Sequence, residues 1–89
     1  MLMKDKKGLV MGVANDRSIA WGIAKTLADN GASLAFTYQG EALKKRVEPL
    51  ANSINSEILV PCDVTDSDSM KNVFNLLKEK WGSIDFLVH

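Results

Sequence analysis

The sequence predicts an α/β protein built on a doubly wound parallel sheet, with the strand–helix order βαβαβαβ. Three observations predict it. Four short apolar runs alternate with three amphipathic stretches of helical period. The stretches between runs are long enough for helical crossovers, which implies parallel strands with right-handed connections. The first apolar run also leads straight into a glycine-bounded bend, GVANDRSIAWG at 12–22, at the point where such sheets receive ligands.

Residues 8–13 (GLVMGV) read as a strand buried on both faces. From 18 to 30, Ile19, Ile23 and Leu27 fall at i, i+4 and i+8, with Ala20, Ala24 and Ala28 beside them. Asn30-Gly31 then offers a left-handed stop. Residues 33–38 (SLAFTY) form a second strand. Leu43, Val47, Leu50 and Ile54 predict a helix over 41–53, in which Pro49 should kink or shorten the helix. Residues 57–60 (EILV) are a third strand, stopped by Pro61. Asp66 or Ser67 can cap a third helix with the stripe Met70, Val73, Phe74, Leu77 and Trp81. Gly82 ends it, and 84–88 (IDFLV) are the fourth strand. The pattern is the N-terminal half of a Rossmann-like fold. With no repeat or linker, 1–89 reads as one unit, and a strand next to its end makes it the expected front part of a longer single-domain protein.

Composition narrows the class without choosing a function. Eighty-nine residues suit one small domain, and 46% hydrophobic with 25% charged residues is ordinary for a globular protein. Eleven basic residues balance eleven acidic ones, so no global field favours nucleic acid or an anionic membrane. The basic clusters at Lys4, Lys6, Lys7 and at Lys44-Lys45-Arg46 read as solvated faces. The lone Cys62 reads as a small buried hydrophobe and fits a reducing compartment. No apolar stretch approaches the ~18 residues of a membrane span, and the cytoplasm is the expected location. No metal site is expected.

The bend at 12–22 lacks the middle glycines of the common G-x-G-x-x-G turn. Its parts still suit a pyrophosphate. Gly12 permits a sharp exit from the strand, where a Cβ would crowd the turn or the ligand. Ser18 is an N-cap candidate whose hydroxyl could also face a phosphate oxygen. Ala20 allows close approach, and Gly22 is expected to let the helix pack on the sheet. A plain strand–helix turn with a serine cap explains the same residues. Two other strand ends contribute candidates. Gln39 can hydrogen-bond a ribose or adenine, where an acid is usual, or simply occupy a turn. Asp63 could accept from an adenine amino group while Val64 covers the ring. Alternatively, Asp63 closes a turn with Thr65 or caps the helix with Asp66.

The stretches GLVMGVANDRSIAWGIAKTLADNGASLAFTYQGEALKKRVEPLA, CDVTDSDSM and WGSIDFLVH closely resemble the N-terminal part of bacterial NADH-dependent enoyl-acyl-carrier-protein reductases. Those enzymes are divergent short-chain dehydrogenase/reductases. The resemblance covers 8–89, and its G-x5-S-I-A-x-G turn is more specific than a lone glycine triplet. It implies NADH as cofactor, with contacts at Gly12, Ser18, Ile19, Gln39, Asp63 and Val64. It also implies an enoyl-acyl carrier protein substrate, a homotetramer and a role in fatty acid biosynthesis. Close relatives take NADPH through basic residues near Gln39, and Lys44, Lys45 and Arg46 begin one helical turn later.

No residue of this chain is expected to be catalytic. The family's Tyr and Lys, with the nicotinamide contacts and acyl pocket, lie beyond residue 89, so the isolated chain is expected to be inactive and to bind NADH weakly or not at all. Tyr38 and Lys45 share the Tyr-x6-Lys spacing, but Tyr38 ends the second strand on the adenosine side, out of reach of a hydride acceptor. His89 reads as strand-end family sequence, and Trp21 as packing against the sheet or a neighbouring subunit. A phosphoacceptor signalling module is the alternative from another class. It lacks the pair of acids after the first strand and the basic partner for Asp63. A ketoreductase of the same superfamily, or a methyltransferase, fits the longer first turn poorly.

Overall fold

The computed structural model describes residues 2–89. Its elements are β1 (Lys7–Val10), α1 (Ile19–Asp29), β2 (Ser33–Tyr38), α2 (Glu41–Ser53), β3 (Ile58–Pro61), α3 (Ser67–Trp81) and β4 (Phe86–Val88). The strands form one parallel sheet in the order β3-β2-β1-β4. The chain therefore winds outward from β1 to β3, and α3 returns it to β4 on the other side of β1. The winding direction reverses beside β1, and a crevice opens at such a switch point, beyond the carboxyl ends of the strands.

Successive strand residues point to opposite faces, so each face has its own core. On one, Val10, Leu34 and Phe36 meet Trp21 and Ala24 of α1 and Val47 and Ala51 of α2. On the other, Leu9, Ala35 and Ile58 meet Val73 and Leu77 of α3. Leu9, Val10, Ala35 and Phe36 are wholly inaccessible, as central parallel strands covered twice must be. Trp21 lies 6.2 Å from the Phe36 ring, so it packs on the sheet. Cys62 is buried with its Sγ 3.3 Å from Met70 Sδ, the small-hydrophobe role expected of it.

Several local expectations are corrected. In α1 the face turned to the sheet carries Trp21 and Ala24, with Ala20, Leu27 and Ala28 at its margin. Ile19 is 84% exposed and Ile23 43%, so that part of the apparent stripe faces outward. Gly22 is exposed as well, and a Cβ there would meet nothing within 4 Å. The glycine that permits close packing is Gly8, where a Cβ would collide with the Phe86 ring on the neighbouring strand.

β1 pairs only to Val10, because Gly12, at φ 85, turns the chain away from the ladder. β4 starts at Phe86, two residues later than expected, after Asp85 has bonded the Lys7 backbone through its own N–H and its carboxylate. Pro61 is the last residue of β3, paired with Tyr38. An edge strand tolerates its missing donor. Pro49 does not shorten α2, which keeps the expected bounds. Asn30 and Gly31 (φ 97) end α1, and Gly82 (φ 82) ends α3, as their residue types require. No helix among the described residues is long and apolar enough to cross a membrane.

Candidate dinucleotide site

The segment between β1 and α1 is built around Ser18. Its Oγ accepts from the backbone N–H of Ala14 at 2.9 Å and of Asn15 at 3.1 Å. The Asn15 side-chain oxygen accepts from the Arg17 N–H at 2.8 Å, and the Asn15 carbonyl from the Ser18 N–H at 3.2 Å. The turn is thus organised by its own polar groups. Ser18 stands at the N-cap position, yet its side chain makes no capping bond, and the first turn of α1 carries no acid. This corrects the capping role expected of it. A helix start left this way offers free N–H groups and the positive end of the helix dipole to an anion.

Gly12 lies in the left-handed region, and a Cβ would meet nothing within 4 Å. Its requirement is therefore conformational, and not the crowding inside the turn that sequence reasoning suggested.

Gly12, Gln39 and Val64, from three different strand ends, line one cavity of about 230 Å³, with Thr37, Leu43 and His89. Gln39 is exposed and Val64 is 48% exposed, so both present accessible surface to that cavity. Asp63 lines a neighbouring cavity of about 620 Å³, in which Tyr38, Gln39 and Cys62 also take part. Ser18 and Ile19 line neither. The Ile19 side chain instead borders an outer groove with Gly22 and Ile23, so only its backbone N–H is available to a ligand at the sheet edge.

Asp63 is held tightly. Its Oδ1 accepts from Thr65 N at 2.9 Å and from Thr65 Oγ1 at 2.6 Å, and its N–H donates to Ser69 Oγ at 2.9 Å. The Thr65 hydroxyl, followed by the Thr65 amide, lowers the Asp63 pKa below its ordinary 3.8. The turn-closing role weighed for Asp63 is real, and it occupies one carboxylate oxygen. Capping of α3 falls to Asp66, whose side chain accepts from Asp68 N.

Thr37, Leu43 and His89 also wall the smaller cavity, and nothing local in the sequence marks them: Leu43 belongs to the apolar stripe of α2, and Thr37 is an alternating strand position. Tyr38 has Lys44 Nζ 5.9 Å above its ring, so the lysine that meets it is not the Lys45 of the Tyr-x6-Lys spacing. No cluster of three metal-ligating side chains occurs among the described residues.

The sheet order, the switch point beside β1 and the turn into α1 define the class: a Rossmann-type α/β protein. Within that class the chain belongs to the enoyl-(acyl carrier protein) reductase family, whose model matches residues 12–89. It is 64% identical over 88 residues to enoyl-[acyl-carrier-protein] reductase [NADH] 2 of Rhizobium meliloti, covering 99% of this chain and 33% of that protein. The FabI reductase of Rickettsia typhi is 53% identical, with 99% and 34% covered. Among solved structures, the reductase of Anaplasma phagocytophilum in complex with NAD superposes with a TM-score of 0.95 at 56% identity, covering 100% of this chain and 34% of that one. The Bacillus cereus enzyme with NADP+ and an indole naphthyridinone gives 0.93 at 43%, covering 99% and 35%. The chain spans about a third of the length of these relatives.

Proposed function

We propose that this chain is the N-terminal, dinucleotide-binding portion of a single-domain, NADH-dependent enoyl-[acyl-carrier-protein] reductase. The whole enzyme would reduce the trans-2 double bond of enoyl thioesters in fatty acid biosynthesis, as a cytoplasmic homotetramer. One observation carries the reading: Gly12, Gln39 and Val64 converge on one cavity beyond the strand ends, beside a helix start that no side chain caps. The names of the relatives, NADH reductases in the R. meliloti and R. typhi proteins, support the cofactor and the reaction.

The chain's own groups suit that cofactor atom by atom. Ser18 Oγ spends its acceptor capacity on the Ala14 and Asn15 amides, leaving its proton to donate to a phosphate oxygen. The Gln39 amide both donates and accepts, as a ribose hydroxyl requires. Asp63 Oδ1 takes both Thr65 bonds, so Oδ2 is the oxygen that accepts from the adenine amino group. Val64 covers the ring. Bound NADH supplies the hydride; these residues hold its adenosine end and pyrophosphate in place. The chain has no part in polarising the acyl carbonyl.

The test is an amide-resolved NMR titration of this chain with NADH to about 10 mM, enough to detect millimolar binding. Shifts are expected at Gly12, Ser18, Ile19, Gln39 and Val64, with no turnover of an enoyl thioester. Shifts confined to another surface would remove the reading.

A further inference from the structure

Asp63 has one polar atom left over. Its N–H donates to Ser69 Oγ at 2.9 Å, and its carbonyl accepts from Asp66 N at 3.0 Å. Its Oδ1 accepts from Thr65 N at 2.9 Å and from Thr65 Oγ1 at 2.6 Å. No hydrogen bond among the described residues reaches Oδ2, and Asp63 lines the cavity of about 620 Å³ together with Tyr38 and Gln39. We infer that Thr65 is a positioning residue for base recognition: by holding Oδ1 it fixes the direction of Oδ2. The site then selects a purine with an amino group at C6 over one with a carbonyl there. The inference rests on the dinucleotide reading proposed above, which gives Thr65 itself no part.

The carboxylate needs such a hold. The last torsion of an aspartate is broad, with no sharp rotamer of its own, so its direction has to come from bonds. Thr65 supplies two from one residue, and its hydroxyl bond, at 2.6 Å to a charged acceptor, is of the stronger kind. Ser69 and Asp66 fix the Asp63 backbone but touch neither carboxylate oxygen. Thr65 is exposed, so its hydroxyl serves no core contact.

Adenine and hypoxanthine differ at this point. The amino group of adenine donates to an ionised carboxylate, whereas the carbonyl of hypoxanthine sets acceptor against acceptor. Hypoxanthine does carry a donor on the adjacent ring nitrogen, and a carboxylate free to swing can follow it. A held carboxylate cannot, so discrimination comes from the hold as well as from the charge.

The probes are 5′-ADP and 5′-IDP, titrated by amide NMR to about 10 mM into the wild-type chain, T65V, T65S and D66A. The Asp63 χ1 couplings are read first, a measurement that needs no ligand. The free wild type is expected to hold Asp63 in one rotamer, and T65V to populate several. Wild type should prefer 5′-ADP by about tenfold, the worth of one hydrogen bond to a charged group. T65V should give up about fivefold of that preference, because its carboxylate must be ordered on binding. T65S keeps the hydroxyl, and its ratio should stay within about twofold of wild type. D66A loosens the same segment by removing the cap of α3, and its ratio should also stay within about twofold. Several Asp63 rotamers in the free wild type would overturn the role of Thr65. So would an unchanged ratio in T65V while 5′-ADP still shifts Gly12 and Ser18; either result leaves the dinucleotide reading standing. An equal loss in D66A would overturn it too, by assigning the effect to a loosened turn. Shifts by 5′-ADP confined to another surface would remove both together.

Discussion

The helices α1 and α3 leave the same edge of the sheet, and their first residues have comparable extended backbones. Ser18 stands at φ −63 and ψ 142, Asp66 at φ −110 and ψ 113. From there they diverge. Asp66 turns forward, its Oδ1 accepting from Asp68 N at 3.0 Å, and Asp68 adds an acid to the first turn. That end is satisfied and favourably charged by its own side chains. Ser18 turns backward, stabilises the preceding loop, and leaves the start of α1 without cap or acid. A helix end kept free of its own anions is suited to receiving one. The lesson is that a serine at an N-cap position does not declare its role by type; the direction of its bonds does.

Breaking each end separately should separate the two roles. Ser18→Ala has the largest expected effect. It leaves the Ala14 and Asn15 amides without their acceptor, costing about 1–2 kcal/mol, and lowers nucleotide affinity by about tenfold or more. Asp66→Ala should cost about 1 kcal/mol, the usual worth of such a cap, with nucleotide affinity unchanged. Denaturant melts and an ADP titration of both variants decide the matter; equal loss of affinity in the two would erase the contrast.

Gly22→Ala sharpens the picture of α1. The site is exposed and roomy, so alanine should stabilise the helix by about 0.5–1 kcal/mol through its higher helix propensity. A loss of stability in the melt would instead show that this glycine is needed at a packed contact.

The smallest effect concerns the β3–α3 turn. Asp63 has a lowered pKa in the folded state, so the unfolded chain binds its proton more readily as acid is added. Its contribution is therefore present above the ordinary 3.8 and is lost as pH falls through the lower folded value. Thermal melts from neutral pH downward should show Asp63→Asn less stable than wild type at neutrality, with the gap closing in acid. A gap that widens in acid would mean the Thr65 bonds do not favour the ionised form.

Much of this was legible without coordinates because the signals were strong and local. The apolar runs and their spacing marked every element, α2 to its terminal residues, and the glycines after α1 and α3 marked their stops. What misled was phase. In α1 apolar residues surround more than one face, so period alone could not choose between the Ile19–Ile23 side and the Trp21–Ala24 side. The sheet chose the latter, because Trp21 can lie against Phe36 while Ala24 lets the backbone come close. Gly8 was similarly unreadable: its need for hydrogen at Cα comes from Phe86, seventy-eight residues away in the chain.

By itself, then, the order of apolar and amphipathic segments determined the architecture, because hydrophobic periodicity and turn chemistry act between near neighbours along the chain. Only the tertiary structure decided which candidates share a cavity, which way the Ser18 hydroxyl bonds, and that Asp63 gives one oxygen to Thr65. Those outcomes depend on where separate strands end in space, and the parallel register sets that through contacts between residues far apart in sequence.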